Sequence, residues 1–184
     1  MRILGPTVAT ALLAALTACG QQSAPGNEPT LPESPTTEIA TAVECTADDI
    51  TVEGEAATKP KVTLPDTCSP PTKLLSKDLT PGSGAEAEQG DTVLAHYHLT
   101  TWSNRQVLDN SWDRGEPFPV ANLGNARVID GWNEGLVGIK QGARRLLVVP
   151  PDKGYGPGGN GVAPDETLVF VIDAVAVTDD SGKS

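Results

Sequence analysis

Alternation of side chains is clearest in the segment from Thr92 to Thr100. One side of this segment carries apolar or small residues, namely Val93, Ala95, Tyr97 and Leu99. The opposite side carries Leu94, His96 and His98. Because successive side chains of a strand point to opposite faces of a sheet, this pattern predicts a β-strand. The apolar segment 167–178 predicts a second long strand, in which one face is shared by Phe170, Ile172, Ala174 and Ala176.

Shorter apolar runs, separated by Pro and Gly, predict the remaining strands. They occupy residues 74–79, 107–108, 118–120 and 144–149. Ile129, Trp132 and Leu136 recur at helical spacing, which predicts one helix over residues 129–137. The predicted fold class is α+β: a twisted antiparallel β-sheet half-roll wrapped on one short α-helix.

The segment that precedes this sheet, residues 42–72, contains two further β-like runs. Ile50–Val52 and Val62–Leu64 are separated by Gly54 and Pro60, which interrupt regular structure. We therefore predict a small β-rich N-terminal extension. Its two runs would form either a hairpin or an added edge of the main sheet.

At 184 residues the chain is long enough for one domain and several additional segments. The main domain is predicted to occupy residues 73–178, followed by a flexible tail at 179–184. Residues 1–18 begin with a basic residue, Arg2, followed by a run of apolar or small uncharged residues. This pattern is typical of a signal peptide. Residues 19–41 are rich in Pro and contain no basic residue, which predicts a disordered spacer.

The segment before this spacer ends in Leu16-Thr17-Ala18-Cys19, which resembles the bacterial lipobox. The resemblance implies cleavage before Cys19 and lipidation of its sulfur. The protein would then be extracytoplasmic and lipid-anchored to the cell membrane. Stable anchoring needs more than one acyl chain, and this modification supplies at least two. The alternative is an ordinary cleavage site followed by an unrelated cysteine.

Charge narrows the range of partners. The chain carries 13 basic and 24 acidic residues, a net charge of −11, and loss of residues 1–18 with Arg2 would leave 12 against 24, or −12. Such an acidic protein is unsuited to binding nucleic acid. It is equally unsuited to electrostatic adhesion to anionic lipid, so membrane association would depend on the lipid at Cys19.

Two other cysteines, Cys45 and Cys68, lie in the predicted extension. An even number of cysteines in an exported protein favours a disulfide. The bond would close a loop of 24 residues and stabilise the fold by roughly 3–4 kcal/mol if it acts through chain entropy. Two free thiols or a metal-binding pair are the alternatives, and the spacing does not decide among them.

The sequence shows no nucleophile–base pair, phosphate-binding glycine loop or cluster of metal ligands, so we expect no cofactor and no metal. His96 and His98 have a spacing that could begin a zinc site, but no third ligand accompanies them. The aromatic residues are more informative. Six of the seven lie in four short motifs between residues 90 and 177, which favours a lined pocket over a generic core.

These four motifs resemble the FKBP-type peptidyl-prolyl cis-trans isomerase domain. They read GDTVLAHY at 90–97, LDNSWDRGEPFPVANLG at 108–124, RVIDGWNEGLVGIKQGARRLLVVPPDKGYG at 127–156 and VAPDETLVFVIDAVAV at 162–177. Their order and spacing follow the family. The resemblance implies an FKBP-like fold and an enzyme that isomerises X-Pro bonds in proline-containing polypeptides. It also implies that macrolide FKBP ligands bind in the same pocket.

The resemblance further implies roles for particular residues. The catalytic residues would be Asp109, Tyr155 and Ile129. The backbone N–H of Ile129 and the hydroxyl of Tyr155 would donate to substrate carbonyls, while Asp109 would lie at the pocket rim, braced by Arg114 and the Tyr97 hydroxyl. Trp132 would form the floor of the pocket. The other substrate-binding residues would be Tyr97, Leu108, Arg114, Phe118, Val128, Val162 and Phe170.

Such a pocket acts on a rotation barrier of about 18–20 kcal/mol. A twisted amide is less charge-separated than a planar one, so a dry aromatic cavity favours the twisted form.

Three features depart from the family pattern. Leu108 stands where an aromatic residue is usual, His98-Leu99 replaces a small residue and Gly, and the loop 156–162 is short. These departures keep two alternatives open: a proline-segment-binding chaperone or scaffold with weak or no catalysis, and a non-catalytic surface lipoprotein acting through residues 42–72.

Overall fold

The structure, a computed structural model, describes residues 43–179. The predicted signal peptide (1–18), the spacer with Cys19 (19–41) and nearly all of the predicted tail (179–184) lie outside the described residues. No helix in the described part of the chain is both long enough and apolar enough to cross a membrane.

A six-stranded antiparallel sheet forms the centre of the described region. Its strands are β3 (Leu75–Thr80), β4 (Thr92–Thr101), β5 (Val107–Asn110), β6 (Phe118–Val120), β7 (Arg144–Val149) and β8 (Leu168–Thr178). The order across the sheet is β3-β7-β8-β4-β5, and β6 also pairs with β4. The longest strands, β4 and β8, pair at the centre. This architecture confirms the predicted antiparallel sheet with one short helix.

The single α-helix of the described residues, α1 (Asp130–Gly135), packs across one face of this sheet. It is shorter than the predicted span of 129–137, since Ile129 is its N-cap and Leu136 its C-cap. Two glycines allow the close approach. A Cβ built on Gly131 would come within 2.5 Å of Val149, and one on Gly135 within 2.8 Å of Leu147. A short 3₁₀ helix (Pro151–Lys153) follows β7.

The face of the sheet under α1, called here the front face, carries the larger apolar core. Its fully buried members include Val93, Leu123, Leu136, Leu147 and Ile172. One expectation for β8 is wrong. Leu94 pairs with Ala176 but Ala95 pairs with Ala174, so a bulge leaves Val175 without a partner. A bulge inverts the side-chain alternation beyond it, and Val177 rather than Ala176 packs against the front core.

The opposite face of the sheet, called the back face, is covered by the N-terminal extension. Strands β1 (Thr51–Glu53) and β2 (Lys61–Thr63) form a separate two-stranded antiparallel sheet. The flanking residues Ile50 and Leu64 are buried against Leu146, Val148, Val169 and Val171 of β7 and β8. The extension is therefore a second layer over the main sheet, and not an added edge of it.

A disulfide closes the extension. Cys45 and Cys68 are bonded, with their Cα atoms 5.1 Å apart, and the Cys45 side chain is buried. The Cys45 N–H also donates to the Ser69 carbonyl at 2.8 Å. The predicted pairing is confirmed, which excludes both free thiols and a metal-binding pair at these positions.

A buried ion pair joins the back face to the extension. The Arg144 guanidinium donates to both carboxylate oxygens of Asp173, at 2.6 and 2.7 Å. It also donates to the backbone carbonyls of Gly54 at 2.8 Å and Thr58 at 2.5 Å. The Ala57 N–H donates to Asp173 at 2.8 Å. Since a buried charge is tolerated only when its hydrogen-bonding groups are satisfied, the extension completes the solvation of this pair.

Candidate functional site

A cavity of about 220 Å³ opens on the front face, between α1 and the sheet. Trp132 of α1 forms its base and is only 4% exposed. The residues that line it come from β4, β5, β6, β8, the start of α1 and the loop after the 3₁₀ helix: Tyr97, Leu99, Asp109, Phe118, Arg127, Val128, Ile129, Trp132, Tyr155 and Phe170. The cavity is smaller than the roughly 300–1,000 Å³ of pockets for drug-sized ligands, which suits a group as small as one ring.

Aromatic rings give the cavity its shape. The Trp132 ring centroid lies 5.3 Å from that of Tyr97, 5.4 Å from Phe170 and 6.0 Å from Phe118. All three pairs are close to perpendicular, an arrangement that aromatic rings favour because of their quadrupoles. The rings present both edges and faces to the cavity. A bound group would therefore contact carbon on several sides and little water.

A polar cluster occupies one side of the rim. The Tyr97 hydroxyl donates to Asp109 at 2.5 Å, and Arg114 donates to the Tyr97 oxygen at 2.7 Å and to Asp109. The guanidinium also lies 5.3 Å from the Tyr97 ring centroid, which adds a cation–π contact. The three side chains thus form a closed triangle that fixes the orientation of the Tyr97 ring.

The protonation states of this cluster follow from its contacts. Burial raises the pKa of Tyr97, and donation to Asp109 raises it further. Burial alone would raise the pKa of Asp109, but the hydrogen bonds from Tyr97 and Arg114 outweigh it and hold the pKa below its usual range. At neutral pH the cluster consists of a phenol, a carboxylate and a guanidinium.

Three hydrogen-bond donors at the cavity have no acceptor within residues 43–179. They are the backbone N–H of Ile129, the hydroxyl of Tyr155 and the indole N–H of Trp132, of which the last is buried. Ile129 is the N-cap of α1, so its carbonyl accepts from Trp132 and Asn133 while its own N–H is left over. Buried or half-buried donors without partners favour a ligand that carries carbonyl oxygens.

The structure brings most of the predicted site residues together, and places three outside the lining. Arg114 contacts the cavity only through Tyr97 and Asp109. Leu108 is 38% exposed and lies beside the loop at Gly161, where a Cβ would be 3.8 Å from it. Val162 is buried in the front core. None of these three residues is part of the cavity wall.

Two lining residues were not among the predicted ones. Leu99 is on the apolar side of β4, so its burial could be predicted, but its position beside the cavity depends on how the sheet curves. Arg127 is exposed and polar, and no hydrophobic pattern singles it out. Its only signal is that it directly precedes Val128 and Ile129.

The histidines lie away from the cavity. His96 stacks on Trp112, with ring centroids 4.1 Å apart, and its Nδ1 is 2.9 Å from the Ser111 hydroxyl. His98 is buried, and its Nδ1 has no partner in the described region. Burial lowers the pKa of His98, and the charge of Lys59 lowers it further. No group of three or more metal-binding side chains occurs within residues 43–179.

Comparison with known proteins is consistent across sequence and structure. A profile of the FKBP-type peptidyl-prolyl cis-trans isomerase family matches residues 84–175. The chain is 43% identical over 122 residues to the FK506-binding protein of Streptomyces anulatus, covering 65% of this chain and 97% of that protein. It is 40% identical over 121 residues to the probable FK506-binding protein of Corynebacterium glutamicum, covering 64% and 98%. The crystal structure of FkpA from Escherichia coli matches with a TM-score of 0.53 and 38% identity, over 58% of this chain and 49% of that one.

Proposed function

The chain belongs to the FKBP-type peptidyl-prolyl cis-trans isomerase family and is an enzyme of that type, and we propose that it acts on X-Pro bonds of exported or surface proteins. The prolyl ring enters the cavity above Trp132, and the preceding amide twists there. The observation that carries this proposal is a small aromatic cavity whose unpaired donors face a space without protein acceptors.

Catalysis requires that the twisted amide be bound more tightly than the planar one. A planar amide is the more charge-separated form, and it loses more hydration on entering a cavity walled by Trp132, Phe118 and Phe170. The twisted amide loses less. No proton transfer or covalent step is needed, so the enzyme requires neither a nucleophile nor a cofactor.

The polar groups position the substrate. The Ile129 N–H and the Tyr155 hydroxyl donate to carbonyl oxygens on either side of the prolyl ring, which holds the chain while the bond rotates. Asp109 is engaged by Tyr97 and Arg114, so its main effect is to fix the wall.

A lipid anchor at Cys19 would place the enzyme outside the cytosol, on the cell membrane. The support is the Leu16-Thr17-Ala18-Cys19 run after an apolar leader, together with the Cys45–Cys68 bond. Disulfides persist in oxidising compartments and are rare in the cytosol. An extracytoplasmic enzyme meets its substrates as unfolded or partly folded chains after translocation.

The alternative is a proline-segment-binding chaperone or scaffold with weak or no catalysis. It is favoured by one observation: Leu108 contributes no ring to the cavity, and the neighbouring loop at Gly161 is short and glycine-rich. Such a module would use the same cavity and donors. It would bind planar and twisted amides equally well, and uniform binding does not accelerate rotation.

A protease-coupled prolyl assay on the chain without residues 1–19 tests these functions, with and without FK506, the ligand in the names of both relatives. We expect turnover that FK506 inhibits. Tight FK506 binding without turnover would support the binding module instead. Absence of both would contradict the proposed use of the cavity and leave residues 43–72 as the functional region.

The anchor is tested separately in cells. Cys19→Ser should move the protein from the membrane fraction into solution, and mass spectrometry of the wild-type protein should find acyl chains on Cys19. An unmodified Cys19 in the membrane-free fraction would remove the anchor from the proposal without affecting the isomerase.

A further inference from the structure

One arginine of the described chain differs from all the others in its pairing. Within residues 43–179, Arg105, Arg114, Arg144 and Arg145 each form an ion pair with a carboxylate. Arg127 forms none, and it makes no hydrogen bond within these residues either. In a chain with 24 acidic and 13 basic residues, a basic side chain without an acidic partner is unexpected.

Arg127 lies where three concave surfaces meet. It lines the aromatic cavity described above. It also lines a groove of about 360 Å³ formed by residues 118–122 and 125–128, called here the Phe118 groove. On the other side it lines a groove of about 370 Å³ formed by residues 127–130, Gly154, Tyr155 and Asn160, called the Tyr155 groove. Both grooves adjoin the cavity, so a peptide that places a prolyl ring there can continue along either of them.

The two grooves differ in charge. Among residues 43–179, no acidic residue lines the Phe118 groove, and Arg127 is the only charged one that does. The Tyr155 groove contains Asp130 as well as Arg127. A substrate carboxylate in the Tyr155 groove would be repelled by Asp130, whereas in the Phe118 groove it would meet only the guanidinium.

The backbone of Ala126, directly before Arg127, is fixed by two hydrogen bonds. The Ala126 N–H donates to the side-chain oxygen of Asn133 at 2.9 Å, and the Asn133 amide donates back to the Ala126 carbonyl at 3.1 Å. Asn133 belongs to α1, next to Trp132. The base of the Arg127 side chain is therefore held in register with the floor of the cavity, so that only the side chain has to adapt to a ligand.

We propose that Arg127 is a specificity-determining residue that pairs with an acidic side chain of the substrate, one or two residues from the proline, in the Phe118 groove. This inference rests on the proposed function, because it assumes that the prolyl ring occupies the cavity above Trp132. A guanidinium and a carboxylate form a bidentate pair, and the planar fork of Arg suits it better than the point charge of Lys.

The test compares matched peptides that differ only in Glu or Gln at each of the two positions before and after a central proline. Isomerisation is followed by NMR exchange, which avoids a coupling protease, and peptide binding by NMR titration. At low ionic strength the wild type should prefer Glu over Gln at one of these positions by about two- to fivefold in kcat/KM, as expected for a partly exposed ion pair. The preference should shrink in about 0.5 M salt.

Variants assign the preference to one side chain. Arg127→Gln should abolish the Glu-over-Gln ratio, and Arg127→Glu should invert it, so that a Lys peptide is now preferred. Lys73→Gln is the matched control, since Lys73 is exposed, makes no ion pair within the described residues and lines none of the three concave surfaces. That variant should keep the wild-type ratio. The difference should appear in KM more than in kcat, because the ion pair forms equally in ground and transition states.

Equal values for Glu and Gln peptides at all four positions, in both turnover and binding, would overturn the inference while leaving the isomerase intact. A Glu preference that survives in Arg127→Gln would also overturn it. If Glu peptides bound preferentially through Arg127 and no peptide were turned over, the inference would stand and the isomerase mechanism would fail.

Discussion

The front and back faces of the main sheet differ in how their buried polar groups are partnered. On the front face, α1 and the surrounding loops leave a cavity open, and three donors around it have no acceptor in the described part of the chain. On the back face, the extension closes over β7 and β8 and supplies backbone carbonyls and an N–H to the Arg144–Asp173 pair. The front face keeps these donors available for a ligand, whereas the back face satisfies its buried ion pair with the chain's own backbone, although His98 Nδ1 and the Thr100 hydroxyl there have no partner within residues 43–179.

This difference between the faces indicates which residues stabilise the fold and which serve turnover. Buried polar groups without partners cost free energy, so the donors of the front face lower stability in the absence of a substrate. The back face contains the satisfied ion pair, a second apolar core and the disulfide. Changes to the back face should therefore alter stability and spare turnover, and changes to the front face should do the reverse.

The largest effect is expected at the buried ion pair. Asp173→Ala leaves Arg144 buried beneath the extension without its carboxylate, which should lower the free energy of unfolding by about 3–5 kcal/mol. Urea denaturation followed by Trp fluorescence measures the loss. Asp66→Ala is the matched control. Asp66, in the extension, also pairs with an arginine, Arg105, but its side chain is 77% exposed. The control should lose at most about 1 kcal/mol, and equal losses would contradict the assigned importance of burial.

The disulfide should give the next largest effect. Replacing Cys45 and Cys68 together by Ser removes the closed loop and should destabilise the protein by roughly 3 kcal/mol. Turnover measured well below the unfolding temperature should remain close to wild type, because every residue lining the cavity lies between Tyr97 and Phe170. A large loss of turnover in a folded double variant would show that the two faces are coupled.

On the front face, substitutions should lower turnover more than stability. Asp109→Ala releases Tyr97 and Arg114 and so displaces the wall that positions the substrate, which should lower kcat/KM by roughly ten- to hundredfold. Tyr155→Phe removes one neutral donor and should cost about two- to tenfold. Melting temperatures should change little in either variant. Wild-type rates in both would mean that the catalytic roles implied by the family resemblance are wrong for this chain.

The smallest expected effect is a pH dependence of folding stability, which should arise from the back face and not from the front face. Burial lowers the pKa of His98, with Lys59 and Asp113 as its charged neighbours, so the unfolded chain binds a proton there more readily than the folded one. Stability should begin to fall as pH drops through the ordinary value of 6.5. His98→Leu should remove that part of the pH dependence in urea titrations between pH 8 and 5.

Turnover should not follow the same curve. The pKa of Asp109 is held below its ordinary value of 3.8, so its carboxylate and the stability it contributes persist down to that pH and are lost only below it. The rate should therefore be level from pH 8 to 5. A decline near pH 6.5 that disappears in His98→Leu would instead link the back face to catalysis.

The sequence predicted the front face better than the back. Alternation along β4 and helical spacing at Trp132 are local signals, and they placed the strand and the helix correctly, whereas the residues expected to line the cavity came from the family resemblance. The bulge at Val175 was not predictable from periodicity, because an unpaired residue changes the pairing without changing composition. Consequently Val177 packs against the front core, where Ala176 had been predicted.

The packing of the extension on the back face could not be predicted from the sequence, for a different reason. Ile50–Val52 and Val62–Leu64 predicted strands, but the surface that they cover is set by contacts far along the chain. Arg144 reads as a basic residue at the start of an exposed strand, although its side chain is only 2% exposed. At the cavity, Leu108 and Val162 were expected in the wall because of family position. Whether a side chain reaches the cavity depends on loop geometry, which one sequence does not determine.

The back-face contacts also set an order of events during synthesis. Ala57 bonds to Asp173, a residue 116 positions later, and Gly54 bonds to Arg144, 90 positions later. The extension leaves the ribosome first and cannot complete its layer until β8, close to the end of the chain, has emerged. The Cys45–Cys68 bond spans only 23 positions and can form long before that. If the chain enters an oxidising compartment as it is made, an early crosslink would hold the extension in a compact loop before the surface that it covers is present. The crosslink would then limit the time that Ile50 and Leu64 are available to other unfolded chains.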